Sequence, residues 1–509
     1  MFGPTIIILL GVVLILLVTP KSGRIIRRWL VAGLSYMIHQ ILLRVYPVYH
    51  EDGKTQIPTV PYQWPDGQGD VGKFLDGIEN SSAWEKANGR VYRIWSGMTP
   101  EIVLASPDHL RIVFQDSAKH VKAANNNSGW LMNQVLGECV GLVSNKKWRC
   151  LRAATEAPFT HSAVTAYVDR VRRRIEEYMT SLETHGQLRC GILDPAGDMK
   201  MLPFLVVAEI IYGGISSEME EELRGLAPLR EELFRYIIKG GLPRYSWSRF
   251  LPTRANQALS VFKVAWASFN DRAVQRARDL SLGAPIEQMY AAVTAGTITA
   301  DQLYQTLDES LYANLDVTTG ALSWNLVFLA SSPGTQQRVR QEVETFCRTG
   351  TMHKYLLDSS TYLTACILES SRLKPLAAFS VPQAAPTERV IDGYIVPGGT
   401  NFVVDSYAIN IRHEFWGPDR TQYRPDRFLQ LAAKDLRYHF WRFGFGSRQC
   451  MGKFVADLML RALLTHMVTH FDTCLLDDEA EWRRDTESWI THPKMKLRCT
   501  KRTQNEGRI

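Results

Sequence analysis

The chain has 509 residues, 45% hydrophobic and 22% charged, with a formal net charge of +7. That length suits one large core or about two to three small ones, and so modest a charge argues against wholesale nucleic-acid binding. Its eight cysteines are scattered with no Cys-x-x-Cys pair, which argues against a zinc site or a disulfide framework and fits a reducing compartment.

The first segment, MFGPTIIILLGVVLILLVTP, carries no charge through Pro20. As a helix it spans roughly 30 Å at about 1.5 Å per residue, close to the hydrocarbon core of a membrane. Positive charge follows it, at Lys21, Arg24, Arg27 and Arg28. A cleaved secretory signal has the opposite order, so the run reads as a single-pass anchor at 1–20 with the rest of the chain cytosolic. Over 21–65, Ile26, Leu30, Leu34, Ile38 and Leu42 recur every four residues and predict an interfacial helix. A hinge punctuated by Pro47, Pro58, Pro61 and Pro65 comes next, and the body of the protein is expected over 66–509.

Within the body, RVYRIWSG and EIVLAS predict a β-hairpin, and SPDHLRIVF a helix capped by Ser106. Helical patterns dominate from about 145 to 375. The longest runs from about Thr299 to Leu329, with Leu307, Leu311, Leu315, Leu322 and Leu326 near one face, and Ser332-Pro333-Gly334 is expected to end it. Strand-like pieces return at 389–404. A last long helix follows Cys450, with Val455, Leu458, Met459 and Ala462 on its inner side. The class is mainly α with a minor β-sheet region, without the strand–helix alternation of a doubly wound fold.

The densest chemical signal is FWRFGFGSRQCMGKF, residues 440–454. Glycines let the backbone approach closely and let several N–H groups converge on one anion. The helix that follows puts the Cys450 sulfur near a positive helix end, Arg448 adds charge two residues away, and Phe443 supplies an apolar wall. These features favour a thiolate, reactive or metal-bound; a cysteine by itself is as readily a small buried hydrophobe. A dinucleotide-binding reading of the glycines fails, because the third glycine and the strand–helix–acid context are missing.

Phe443-Gly444-x-Gly446-x-Arg448-x-Cys450-x-Gly452 resembles the haem-binding signature of the cytochromes P-450 at every signature position. Three further motifs resemble that family in order. Trp148 and Arg152, one helical turn apart in KKWRCLR, match the pair that contacts a haem propionate. Glu369 and Arg372 in LESSRLKP, three apart and so on one helix face, match its Glu-x-x-Arg, and Arg427 in YRPDRF completes that motif. The resemblance covers nearly the whole chain. It implies a cytochrome P-450 fold behind an N-terminal transmembrane anchor, haem b with Cys450 as the iron's axial ligand, and a buried Glu369–Arg372–Arg427 triad behind the haem. It also implies a small-molecule substrate and an NADPH-dependent reductase partner in the endoplasmic reticulum membrane. Lys146, Lys147, Arg149 and Lys453 are expected to form the reductase's docking face.

Two stretches depart from the family pattern. In YANLDVTTGALSW, with Ala313 aligned, Asn314 stands for a glycine, Asp316 falls on the expected acid, and Val317 takes the place of the threonine. Thr318 follows, rotated by about 100° on a helix. Three outcomes are open: a helix bulge brings Thr318 or Thr319 into place, a polar group of the substrate completes the proton relay, or no oxygen is inserted. In FSVPQAAP, Gln383 stands where the family often has an arginine for a propionate, which leaves Arg448 and Arg152 to carry that charge.

Substrate contacts are expected from 122–130, from helices between about 200 and 260, from 315–317 and from Leu376, Ala377, Ala378 and Phe379, around an apolar pocket. The wording of residues 313–333 and 440–453 resembles fungal secondary-metabolite members that act on amino-acid-derived cyclic dipeptides (diketopiperazines). The expected activity is therefore monooxygenation of an apolar intermediate. The alternatives are a haem-thiolate oxidase catalysing coupling, desaturation or ring closure, and a non-catalytic haem-binding membrane protein.

Overall fold

Val91–Ser96 and Thr99–Leu104 form the expected antiparallel hairpin, paired from Val91 with Leu104 to Ser96 with Thr99. The computed structural model describes residues 22–477, 482 and 484–502. In it the hairpin edges a five-stranded sheet. Thr99–Leu104 pairs in parallel with Asn401–Val404, which pairs with Gln383–Ala384 and through it with Val121–Lys122. Two smaller sheets complete the β structure. One joins Tyr49–His50, Tyr394–Val396 and Arg389–Ile391; the other joins Phe471–Leu475, Leu497–Lys501 and Ile192–Leu193. Everything else of size is helix, and the largest apolar core lies among helices.

Local signals account for the helix starts. Ser106 accepts from the Asp108 N–H at 3.3 Å and opens Pro107–Phe114. Thr299 and Gln302 form a capping box that opens the longest helical run, over 300–330. That run is not uniform. It consists of Ala300–Ala313, a π-helical turn over Asn314–Thr318, and Thr319–Ala330. Pro333 does not simply terminate it: the run ends at Ala330, and Pro333 is the first residue of the next helix, Pro333–Thr349, where its missing N–H costs nothing. The last long helix is Lys453–His470, with Val455, Leu458, Met459 and Ala462 all buried.

The helix predicted after the anchor spans Ser22–Val45. Its four-residue stripe does not face outward throughout. Leu42 is buried in a small core with Tyr62 and Trp95, and Ile38 packs against them. Trp29, Leu30, Tyr36, Met37 and Ile41 are exposed instead. Among the described residues no helix is long and apolar enough to cross a membrane; the apolar run at 1–20 lies outside them.

Candidate active site

The fold brings the helical run 300–330, the helix Ser217–Lys239, the strand Val121–Lys122, the helix Asn145–Thr155 and the cysteine loop around one internal cavity of about 570 Å³. Cys450, Phe443, Gly444, Arg448, Gly452, Trp148 and Arg152 all line it. The accessible surface of Cys450 faces this internal cavity, and the residue lies deep in the molecule. The loop is shaped by its own backbone: Gly444 and Gly446 sit at φ of 77° and 70°, and Cys450 N–H donates to the Phe443 carbonyl at 2.9 Å. A Cβ at Gly446 would also lie 2.1 Å from Ser117 Oγ, so that hydroxyl would have to swing away for any larger residue. The Gly452 N–H donates toward Cys450 and favours the thiolate, but burial outweighs it and pushes the thiol up.

Glu369, Arg372 and Arg427 meet in the core behind the loop. Arg372 donates to both Glu369 oxygens at 2.7 and 2.8 Å, Arg427 donates to Glu369 at 3.0 Å, and all three are buried. Such a cluster is tolerable only with its remaining donors satisfied. Arg372 also donates to the Asn410 and Arg420 carbonyls, and Arg427 to those of Trp416 and Asp419. Asn410 carries the link onward: its amide donates to the Trp441 carbonyl at 2.8 Å, and its Oδ1 accepts from the Trp441 N–H at 2.7 Å. Arg442 then ties the loop to Ser371 and to Asp457. Asn410 belongs to no motif in the sequence, and Arg442, though inside the 440–454 stretch, is not one of its signature positions.

On another wall of the cavity, positive charge accumulates. Arg448 lies 4.7 Å over the Trp148 ring and donates to the Val143 carbonyl at 2.8 Å; burial, with Arg152 nearby, pulls it down to about 10. Lys122, which sequence reading treated only as part of a substrate loop, is Gln383's direct partner across the ladder. The charge absent at Gln383 is therefore present one strand away. Burial, with Arg448 nearby, pulls the Lys122 ammonium down to about 8. Facing these cations is Glu309, which accepts from the Gly141 N–H at 3.0 Å and is pushed up by burial. Arg152 also pairs with Glu156 at 2.6 Å. Buried cations in excess of buried carboxylates call for an anion in the cavity. A group with two carboxylates and a metal for the Cys450 sulfur fits that donor set.

The π-turn decides where the two threonines point. Thr318 lines the cavity and donates to Asn314 Oδ1 at 2.5 Å, whereas Thr319 donates to the Asn314 and Lys200 carbonyls and does not line it. Val317 and Asp316 line it as well. Asp316 Oδ2 accepts from the Trp489 indole N–H at 2.7 Å, a contact spanning 173 positions of chain. Leu376, Ala377 and Phe379 line the cavity as expected; Ala378 packs away from it against Gly77.

The sequence profile of the Cytochrome P450 family matches residues 77–499. The chain belongs to the cytochrome P450 family. It is 54% identical over 462 residues to cytochrome P450 monooxygenase aclC of Aspergillus oryzae, covering 90% of this chain and 94% of that protein. To cytochrome P450 monooxygenase asaD of Aspergillus flavus it is 48% identical, covering 90% and 89%. To cytochrome P450 monooxygenase gliC of Aspergillus fumigatus it is 39% identical, covering 92% and 93%. The protein is thus a P450 of the monooxygenase type, whose family uses haem held by a cysteine thiolate and electrons that a reductase draws from NADPH. The cavity suits that cofactor: Cys450 offers the sulfur, and Lys122, Arg152 and Arg448 are cations for two propionates.

Proposed function

We propose that this P450 inserts oxygen into an apolar secondary-metabolite intermediate, an amino-acid-derived cyclic dipeptide. The observation that carries the reading is that Cys450 and the Thr318 hydroxyl line one internal cavity whose remaining walls are largely apolar and aromatic, with Phe74, Phe234, Phe379 and Trp489 among them. A cyclic dipeptide with aromatic side chains matches such walls, and its ring amides match the few polar groups between them.

When bound, the haem supplies the oxygen chemistry. The chain's own residues do the rest. Cys450 would hold the haem iron through its sulfur, Phe443 would wall that sulfur, and Gly444, Gly446 and Gly452 would let the loop come close. Trp148, Arg152, Arg448 and Lys122 would hold the propionates, and Glu369, Arg372 and Arg427 brace the loop from behind. Thr318 and Asp316 hold the water that passes protons into the cavity, with Thr319 securing the turn that presents them. Val317 closes the wall around that water.

The catalytic body, 66–509, sits on the cytosolic face of the endoplasmic reticulum membrane. Residues 1–20 anchor it, and the helix within 21–65 rests its exposed Trp29, Leu30, Tyr36, Met37 and Ile41 on the bilayer. Lys146, Lys147 and Arg149, exposed on the helix that carries Trp148, and the partly exposed Lys453 meet an acidic reductase.

The test is a spectral titration of the ferric holoprotein with an aromatic cyclic dipeptide, a terpene and a fatty acid, followed by turnover with reductase under heavy-isotope dioxygen. The reading predicts a Soret shift with the cyclic dipeptide and one labelled oxygen in its product. An unlabelled product that has lost hydrogen would mean coupling or desaturation instead, and a shift confined to the terpene would displace the substrate class.

A further inference from the structure

Arg230 is the one arginine on the face of Ser217–Lys239 that meets the cavity, alongside Phe234, Ile237 and Ile238. It is buried, at 5% exposure. Its Nε donates to Asp308 Oδ1 at 2.6 Å, and its guanidinium carbon lies 4.8 Å from the Phe234 ring centre. Asp308 is buried beside it on Ala300–Ala313, so the ion pair joins the cavity's covering helix to the helix that continues into the π-turn. Among the described residues Asp308 is the only acceptor Arg230 has, and its two terminal nitrogens, without partners, are not shut off from the cavity it lines.

A guanidinium carries five N–H donors and does not lose its charge, so four donors in an apolar cavity stand unsatisfied by protein. Leaving charged donors without acceptors in such a place is costly, and among the described residues Asp308 has its own second oxygen without a hydrogen-bond partner. The pair holds the arginine in one orientation but does not exhaust it. We propose that Arg230 is a specificity-determining residue whose terminal N–H groups bind a carbonyl oxygen of the substrate, an amide or a carboxylate. This rests on the cyclic-dipeptide reading for its first choice of ligand, since the ring amides of a diketopiperazine carry such oxygens. Arg230 thereby fixes which end of the substrate faces the covering helix and which carbon is presented to Thr318 and the haem side. Apolar molecules without an acceptor leave the guanidinium unsatisfied and are discriminated against.

The experiment uses ferric holoprotein and three probes read by the Soret shift: cyclo(Phe-Phe), laurate and limonene. Because Arg230→Met alone strands a buried Asp308, the principal variant is Arg230→Met with Asp308→Leu, which removes both charges together; Arg230→Lys keeps the charge without the fork. Imidazole, which binds iron and needs no carbonyl acceptor, reports site integrity. The expected result is that the double variant binds cyclo(Phe-Phe) about tenfold or more weakly than the parent while imidazole affinity is unchanged, with Arg230→Lys in between. Equal affinity of parent and double variant for cyclo(Phe-Phe) overturns the role of Arg230 and leaves the cyclic-dipeptide reading standing. A shift with laurate alone that the double variant loses upholds Arg230 and contradicts the cyclic dipeptide. A shift with limonene alone, or with no carbonyl-bearing probe, overturns both.

Discussion

Thr318 and Thr319 are neighbours in sequence, yet one faces the cavity and the other is spent on the Asn314 and Lys200 carbonyls. Thr318→Ala is therefore expected to lower the coupling of NADPH oxidation to product by about tenfold or more, the scale of a lost proton relay. Thr319→Ala, which only loosens the turn that presents Thr318, should lower coupling much less than Thr318→Ala and cost about 1 kcal/mol of stability through its lost hydrogen bonds. Val317→Thr should change coupling little, because the π-turn already brings a hydroxyl to the cavity. Product-to-NADPH ratios for the three variants check this; a drop confined to Thr319→Ala would mean the turn is different in the working enzyme. The sequence carried the anomaly at this site but not its resolution. No helical register restored both acid and alcohol, and the bulge was one of three outcomes. What selects it comes from far along the chain: Trp489 takes Asp316, and Lys200 takes Thr319. Single-residue roles such as those of Arg230, Glu309 and Lys122 were invisible for the same reason, since each depends on a neighbour brought in by the fold.

The cysteine helix Lys453–His470 shows how an element positions the site and sets a pH limit on it. Its inner face is buried, and Asp457 on it holds Arg442 of the loop. Near its other end His466 is largely buried with no partner for Nε2 among the described residues, and burial, helped by His470, holds its pKa down at about 3. The folded chain thus keeps His466 neutral while the unfolded chain protonates it below about 6.5. Below that value the unfolded state binds more protons, so stability falls with pH from about 6.5 towards 3. His466 accounts for roughly 2 kcal/mol of the loss between pH 7 and pH 5. His466→Gln is expected to remove that share, seen as a smaller shift of the urea midpoint between the two pH values; an unchanged shift would place the acid sensitivity elsewhere. Periodicity had already assigned this helix's inner face, because Val455, Leu458, Met459 and Ala462 need only the 3.6-residue repeat. The path from the triad to the loop through Asn410 was not legible. Asn410 lies in a π-helical segment, Ala408–Arg412, with no apolar repeat and no motif around it.

At the scale of the molecule, the mainly helical class and the minor sheet follow from patterns that repeat, and the hairpin, Ser106 cap and Thr299 cap follow from short-range chemistry. The sheet order does not, because Leu104 pairs with Val404 three hundred positions away. The same pairing set puts Lys122 opposite Gln383, so a substitution that looked like a lost charge is a charge moved to the next strand. Helix, sheet and loop converge on one cavity, and its chemistry depends on Cys450. The most direct measurement is the carbon monoxide difference spectrum of the reduced holoprotein, taken for the parent and for Cys450→Ser. The expected result is the red-shifted Soret band of a thiolate-ligated haem in the parent and its loss in the variant. The same band in Cys450→Ser, or its absence from a parent protein that has taken up haem, would contradict it.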